Sequence, residues 1–129
     1  MATRPPPIPD NEEQRLHALR ESGLLDTPPE PEYDRITALA CLLFRVPISM
    51  VSLVDQDRQW FKSVIGMPVR ELPREHAFCA HTILSPRGMV IRDALADERF
   101  VDNPLVVGDP GIRFYAGVPL LTAEGYALG

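Results

Sequence analysis

Apolar residues recur at helical spacing twice in the first third of the chain. Leu16 and Leu19 mark a narrow stripe. Asp10 is placed to open this first helix with Glu13 as its capping-box partner, and Gly23 to close it. So thin a stripe is marginal alone and requires a partner surface, on this domain or on a second subunit. Tyr33, Ile36, Ala40, Leu43 and Phe44 mark a second, broader stripe. Thr27 with Glu30 forms another capping box, Pro28 suits a first turn, and Val46-Pro47 ends the helix. Cys41 falls in the apolar half and reads as core.

The period then shortens. In 48–54 the residues Ile48, Met50, Val51, Leu53 and Val54 fall on both faces, which predicts an interior strand covered on both sides. Asp55-Gln-Asp-Arg58 makes a turn, and 59–65 returns as the second strand of a hairpin, with Trp60 and Phe61 burying large side chains. Residues 67–73 read as a loop, 74–84 as a short helix and 89–92 as a third strand. A polar segment over 97–103 is stopped by Pro104. A turn cluster follows at 108–111, then a fourth strand over 112–121 with Pro119 near its end. Arg113 is a charge set among apolar neighbours in that strand. Burying it unpaired would cost several kcal/mol or more, so it predicts a carboxylate partner, Asp97 or Asp93.

Composition narrows the function classes. At 129 residues, with 45% apolar and 24% charged residues, the chain suits one globular domain. A net charge of −5 without a basic cluster argues against nucleic-acid binding. No apolar run is long enough to span a bilayer, the N-terminus lacks the apolar core of a secretory signal, and two cysteines read as reduced thiols. These features place the chain in the cytoplasm. Residues 1–11 read as a proline-rich flexible lead-in, and 12–129 as the folded domain.

Seven motifs stand in order: Leu24-Leu-Asp-Thr-Pro-Pro-Glu30, Asp34-Arg35, Pro47 to Asp55, Arg58-Gln-Trp-Phe-Lys62, Phe78-Cys-Ala-His81, Asp97-Glu-Arg-Phe100 and Arg113-Phe-Tyr-Ala-Gly117. Together they resemble a GAF domain of the type found N-terminal in bacterial sensor histidine kinases and diguanylate cyclases. The resemblance implies an α+β fold, an antiparallel sheet with helices on both sides and a ligand cavity beside the third helix. The family's last strand, next to its first, would be barely begun at Gly129 and the closing helix missing, as in a fragment less stable than its longer parent. Phe78, Cys79, His81, Asp93, Asp97, Phe100, Arg113 and Tyr115 are the pocket candidates. The implied partners are a small-molecule ligand, an output domain C-terminal in the same polypeptide, and a second copy in a homodimer.

The resemblance leaves the cofactor open. Related photoreceptor domains attach a bilin through Cys-His, but here Ala80 intervenes. On a helix, side chains two residues apart point about 200° from each other, so Cys79 and His81 cannot readily share a metal or form a thiol–imidazole pair. Two cysteines fit poorly to the family branch that reduces methionine sulfoxide, and Asp97-Glu98 with Phe100 only partly echoes the cyclic-nucleotide signature. No catalytic residues are assigned. The reading is a sensory or regulatory domain. The alternatives are a chromophore- or haem-binding module with redox chemistry and a purely structural dimerisation module.

Overall fold

A computed structural model describes residues 5–129; the first four residues of the proline lead-in lie outside the described residues. The first helix, α1, spans Glu12–Ser22, and Gly23 ends it in the left-handed conformation (φ 67°) that glycine adopts without a Cβ penalty. Its partner surface is on this domain: Leu16 and Leu19 pack with Leu53 and Trp60 of the sheet. The second helix, α2, spans Pro31–Phe44. Neither capping box forms. Asn11 and Glu30 occupy the N-cap positions without a side-chain hydrogen bond. Thr27 instead donates to the Leu24 carbonyl.

The hairpin forms as expected. Strands β1 (Ser49–Val54) and β2 (Arg58–Ile65) pair antiparallel, and Trp60 and Phe61 are buried. The pairing steps from Val51↔Ser63 to Ser52↔Phe61, leaving Lys62 as the extra residue of a β-bulge. The bulge lets two consecutive side chains reach the same layer. Lys62 Nζ donates to Thr27 Oγ1 (2.6 Å) and the Pro28 carbonyl (2.7 Å), and pairs with Glu30 (2.6 Å). Ser63 donates to Asp34 (2.7 Å) and shares a hydrogen bond with the buried Thr37 of α2. Arg58 holds Asp26 (2.8 Å), Asp55 and Glu71. The Leu24–Glu30 motif is thus a strap fastened to β2 by two cations.

Four expectations about the second half change. Residues 67–73 are not wholly loop, because Glu71–Pro73 forms β3 against β2. The helix expected over 74–84 is broken into a 3-10 turn at Arg74–His76 and α3 at Cys79–Thr82, with Ala77 extended between them. The break follows from anchorage: Arg74 is buried and tied to Glu12 and the Asp55 carbonyl, and Asn103 donates to the His76 carbonyl. The strand expected over 112–121 shrinks to β5 (Tyr115–Gly117), which pairs with β4 (Met89–Ile91) in a second sheet. Pro104 does not stop a segment but opens a helical turn, α4 (Pro104–Val107), where its missing N–H costs nothing and Asn103 caps Leu105 N–H.

The sheet face opposite α1 carries α3. Val54 packs there with Ala77, Cys79, Ala80 and Ile83. After β5 the chain forms an isolated bridge between Leu121 and Ala127, and the Leu128 carbonyl accepts from Val54 N–H of β1. Segment 126–129 therefore lies beside β1, where the resemblance puts the last strand. Arg15 reaches across from α1 to the Ala127 carbonyl (3.2 Å) and fixes this segment from the helical side.

Candidate functional site

Phe78 begins the turn of α3, and Phe100 lies in the turn segment between the 3-10 turn at Ala94–Ala96 and α4. Their rings stack at 4.2 Å with 12° between planes. Tyr115 of β5 lies 5.1 Å from Phe78, tilted at 38°, and the His81 ring meets Phe100 edge-on at 4.8 Å. Offset and edge-to-face contacts of this kind add about 0.5–1.5 kcal/mol per pair beyond burial. Ile91, Ala94 and Val106 close the apolar floor. Tyr115 belongs to this cluster and also to the one around Val54 and Cys79, so its ring joins the two.

A polar chain runs through the same space. Gln59 of β2 donates to Ser52 Oγ (2.9 Å), and Ser52 donates to Cys79 Sγ (3.4 Å). Cys79 in turn lies 3.3 Å from the Tyr115 hydroxyl, which is 2.7 Å from Thr82 Oγ1. Five side chains thereby link β2, β1, α3 and β5. Burial pushes the Cys79 thiol above its ordinary range, against the pull of the hydrogen bonds from Ser52 and Tyr115. Burial, with the neighbouring Cys79, likewise raises the Tyr115 phenol. Both groups are therefore neutral at physiological pH, and a thiol held so is a poor nucleophile.

The rim carries charge. Asp97 and Arg99 form a 2.7 Å pair, and the Arg99 guanidinium sits 5.2 Å from the Phe100 ring centroid. The hydrogen bond from Arg99 holds the Asp97 carboxyl below its usual range. Desolvation, reinforced by Arg99, lowers His81, so the imidazole is neutral near pH 7. Of the eight residues singled out by the sequence, Phe78, Cys79, His81, Phe100 and Tyr115 converge here, with Asp97 at the edge.

Asp93 and Arg113 do not join them. Asp93 caps the 3-10 turn by accepting from Leu95 N–H (3.0 Å). Arg113 is exposed, and among the described residues it meets no carboxylate: it donates to the carbonyls of Val106 (2.9 Å) and Ile112 (3.1 Å). The expected buried ion pair is absent because β5 begins two residues later, so Arg113 lies on a surface loop rather than in a buried strand. The sequence reading missed Ser52, Gln59, Thr82 and Arg99. Thr82, four residues after Phe78 and three after Cys79, shares their helical face and could have been found by spacing. Ser52 and Gln59 come from the distant hairpin and carried no such signal.

Two open hollows lie elsewhere, one of about 480 Å³ beside Ile8–Asn11 and Ile83, the other of about 680 Å³ between α1 and the 122–128 hairpin. None of the eight candidates lines either. Among the described residues, no group of three or more His, Cys, Asp or Glu could hold a metal ion, and no helix is long and apolar enough to cross a membrane.

The family model for the GAF domain matches residues 28–129. The whole chain is 45% identical over 129 residues to a cyclic di-GMP phosphodiesterase from Pseudomonas aeruginosa. It spans 22% of that relative's length.

Proposed function

Because this chain belongs to the GAF domain family, we propose that it is the sensory part of a bacterial signalling protein, binding a small molecule and setting the activity of an output domain C-terminal to it. The observation that carries this reading is the convergence of aromatic and hydrogen-bonding side chains from α3, the 97–107 segment and β5 on one spot, linked through Cys79, Ser52 and Gln59 to the hairpin. A ligand there would touch α3 and β5 directly and reach the α1–α2 layer through the sheet. The neutral, buried thiol favours non-covalent binding over bilin attachment or thiol redox chemistry.

The output favoured is an enzyme of cyclic di-GMP turnover, since the relative that matches across the whole chain is a phosphodiesterase. Of the two output types implied by the sequence resemblance, the diguanylate cyclase acts on the same messenger, and the histidine kinase does not. The domain acts as a homodimer in this reading, with the uncovered apolar face of α2 as the contact. The test is cyclic di-GMP hydrolysis by the full-length protein carrying Phe78→Ala or Thr82→Val. An altered rate, with the isolated output domain unaffected, is expected. Wild-type rates from both variants would refute a sensory role for this site.

A further inference from the structure

Tyr115 reaches its partners by an unusual path. Its ring folds back over Gly117, two residues along the same strand, and a Cβ at Gly117 would collide with the Tyr115 hydroxyl and ring carbons. Those ring atoms are the nearest neighbours a Cβ would meet, with no backbone among them. The absence of a Cβ at Gly117 thus gives the Tyr115 ring the room it occupies. In that position the ring covers the Phe78 face, bridges two separate apolar clusters and offers its hydroxyl to Thr82 and Cys79.

A side chain that joins two clusters at their edge and remains partly open to solvent differs from a core residue locked on every side. Its phenol also presents the features a ligand would need there: a flat ring for Phe78 and one polar atom for Thr82. We infer that Tyr115 is a reversible plug occupying the ligand position, displaced when a planar aromatic molecule with a hydroxyl or similar polar edge takes its place. This rests on the reading of the aromatic site as the sensory pocket. Displacement breaks the direct link between α3 and β5, while the ligand restores it with different geometry.

The plug competes with any ligand, so apparent affinity falls by the fraction of molecules in which the ring is out. p-Cresol, the side chain of tyrosine itself, is the probe. Binding to this chain is measured by titration with proton NMR of the Thr82 methyl signal. In Tyr115→Ala the slot is empty and p-cresol binds. In the double variant Tyr115→Ala with Gly117→Ala the added methyl fills the space that the ring, or a molecule in its place, occupies, and p-cresol binding is lost; retained binding would put p-cresol outside the slot and overturn the pocket reading. Tyr115→Phe keeps the ring but loses both hydroxyl contacts, so the ring is out more often and p-cresol binds about tenfold tighter than to the wild type; this variant decides the matter.

If Tyr115→Ala binds p-cresol but Tyr115→Phe binds no tighter than wild type, Tyr115 is fixed core and the plug is overturned while the pocket stands. If Tyr115→Ala folds and does not bind p-cresol, the slot is not a ligand position, and the pocket reading falls with the plug.

Discussion

Glu12 shows how little sequence distance constrains an interaction. Its carboxylate lies between Arg15, three residues on, and Arg74, sixty-two residues on. Burial alone would raise it, but the hydrogen bonds from Arg74 and Arg15 outweigh that and hold it down to about 2, against an ordinary value of 4.5. A carboxyl depressed in the folded state stabilises the fold above pH 4.5, and that stability is lost as pH falls from 4.5 towards 2. With solvent screening discounted, the contribution is about 1–2 kcal/mol. A pH series of thermal melts should show a steeper loss in this window for wild type than for Glu12→Gln, which cannot titrate. Parallel curves would mean that the triad is not coupled to folding. Arg113 gives the opposite case. Its guanidinium is on the surface with two carbonyl contacts, so Arg113→Met should cost about 1 kcal/mol or less in a denaturant melt. A loss of several kcal/mol would restore the buried ion pair that the sequence suggested.

At the scale of elements, the strap and the broken helix have one cause: cations in the sheet and turns hold backbone that local propensity leaves undecided. The Leu24–Glu30 strap has no regular structure of its own, yet Lys62, 1% exposed, gathers its Thr27, Pro28 and Glu30. Lys62→Met fills similar space but leaves the strap with Arg58 alone. Because Glu30 remains accessible to water, the cost should be about 1–3 kcal/mol rather than that of a fully buried pair. Limited proteolysis checks this directly: cleavage near Pro28 should accelerate in the variant while the hairpin stays protected. Equal cleavage rates would show that Arg58 suffices. Arg74 does the same for the 74–84 region, where a continuous helix could not satisfy both its anchor to Glu12 and the packing of Ala77 under Val54.

Over the whole molecule the two faces of the sheet differ. One carries α3 and the aromatic site, and the other carries α1 and α2. α2 buries only Thr37 fully, while Leu42 and Phe44 are 75% and 74% exposed and Ile36, Leu39 and Leu43 stand beside them. Exposed apolar faces commonly mark contact surfaces. The proposed dimer places a second copy on it, at the end of the sheet-borne link from Tyr115. Sedimentation of the chain should show concentration-dependent dimers, and Leu42→Glu with Phe44→Glu should give monomers of unchanged secondary structure. Monomers for the unaltered chain at all concentrations would remove self-association as the role of α2.

What the sequence determined by itself is the local pattern. The two helices, the hairpin with its buried Trp60 and Phe61, and the glycine stop at Gly23 were legible because period and turn chemistry act over a few residues, but the stripe of α2 was not core: Ile36, Leu43 and Phe44 are exposed and Cys41 is only half-buried. The five residues Phe78, Cys79, His81, Phe100 and Tyr115, which the structure brings together, were picked out by short motifs. The partnering of buried polar groups, by contrast, followed from how the chain packs. Asp97 went to Arg99 rather than Arg113, and Glu12 took Arg74. Cys79 was joined to Ser52 and Gln59 of a distant hairpin through a bulged sheet. The physical reason is that hydrogen bonds and ion pairs are short-ranged and directional. Their partners are chosen by which backbone comes within 3 Å, and that depends on packing the whole chain rather than on any local repeat.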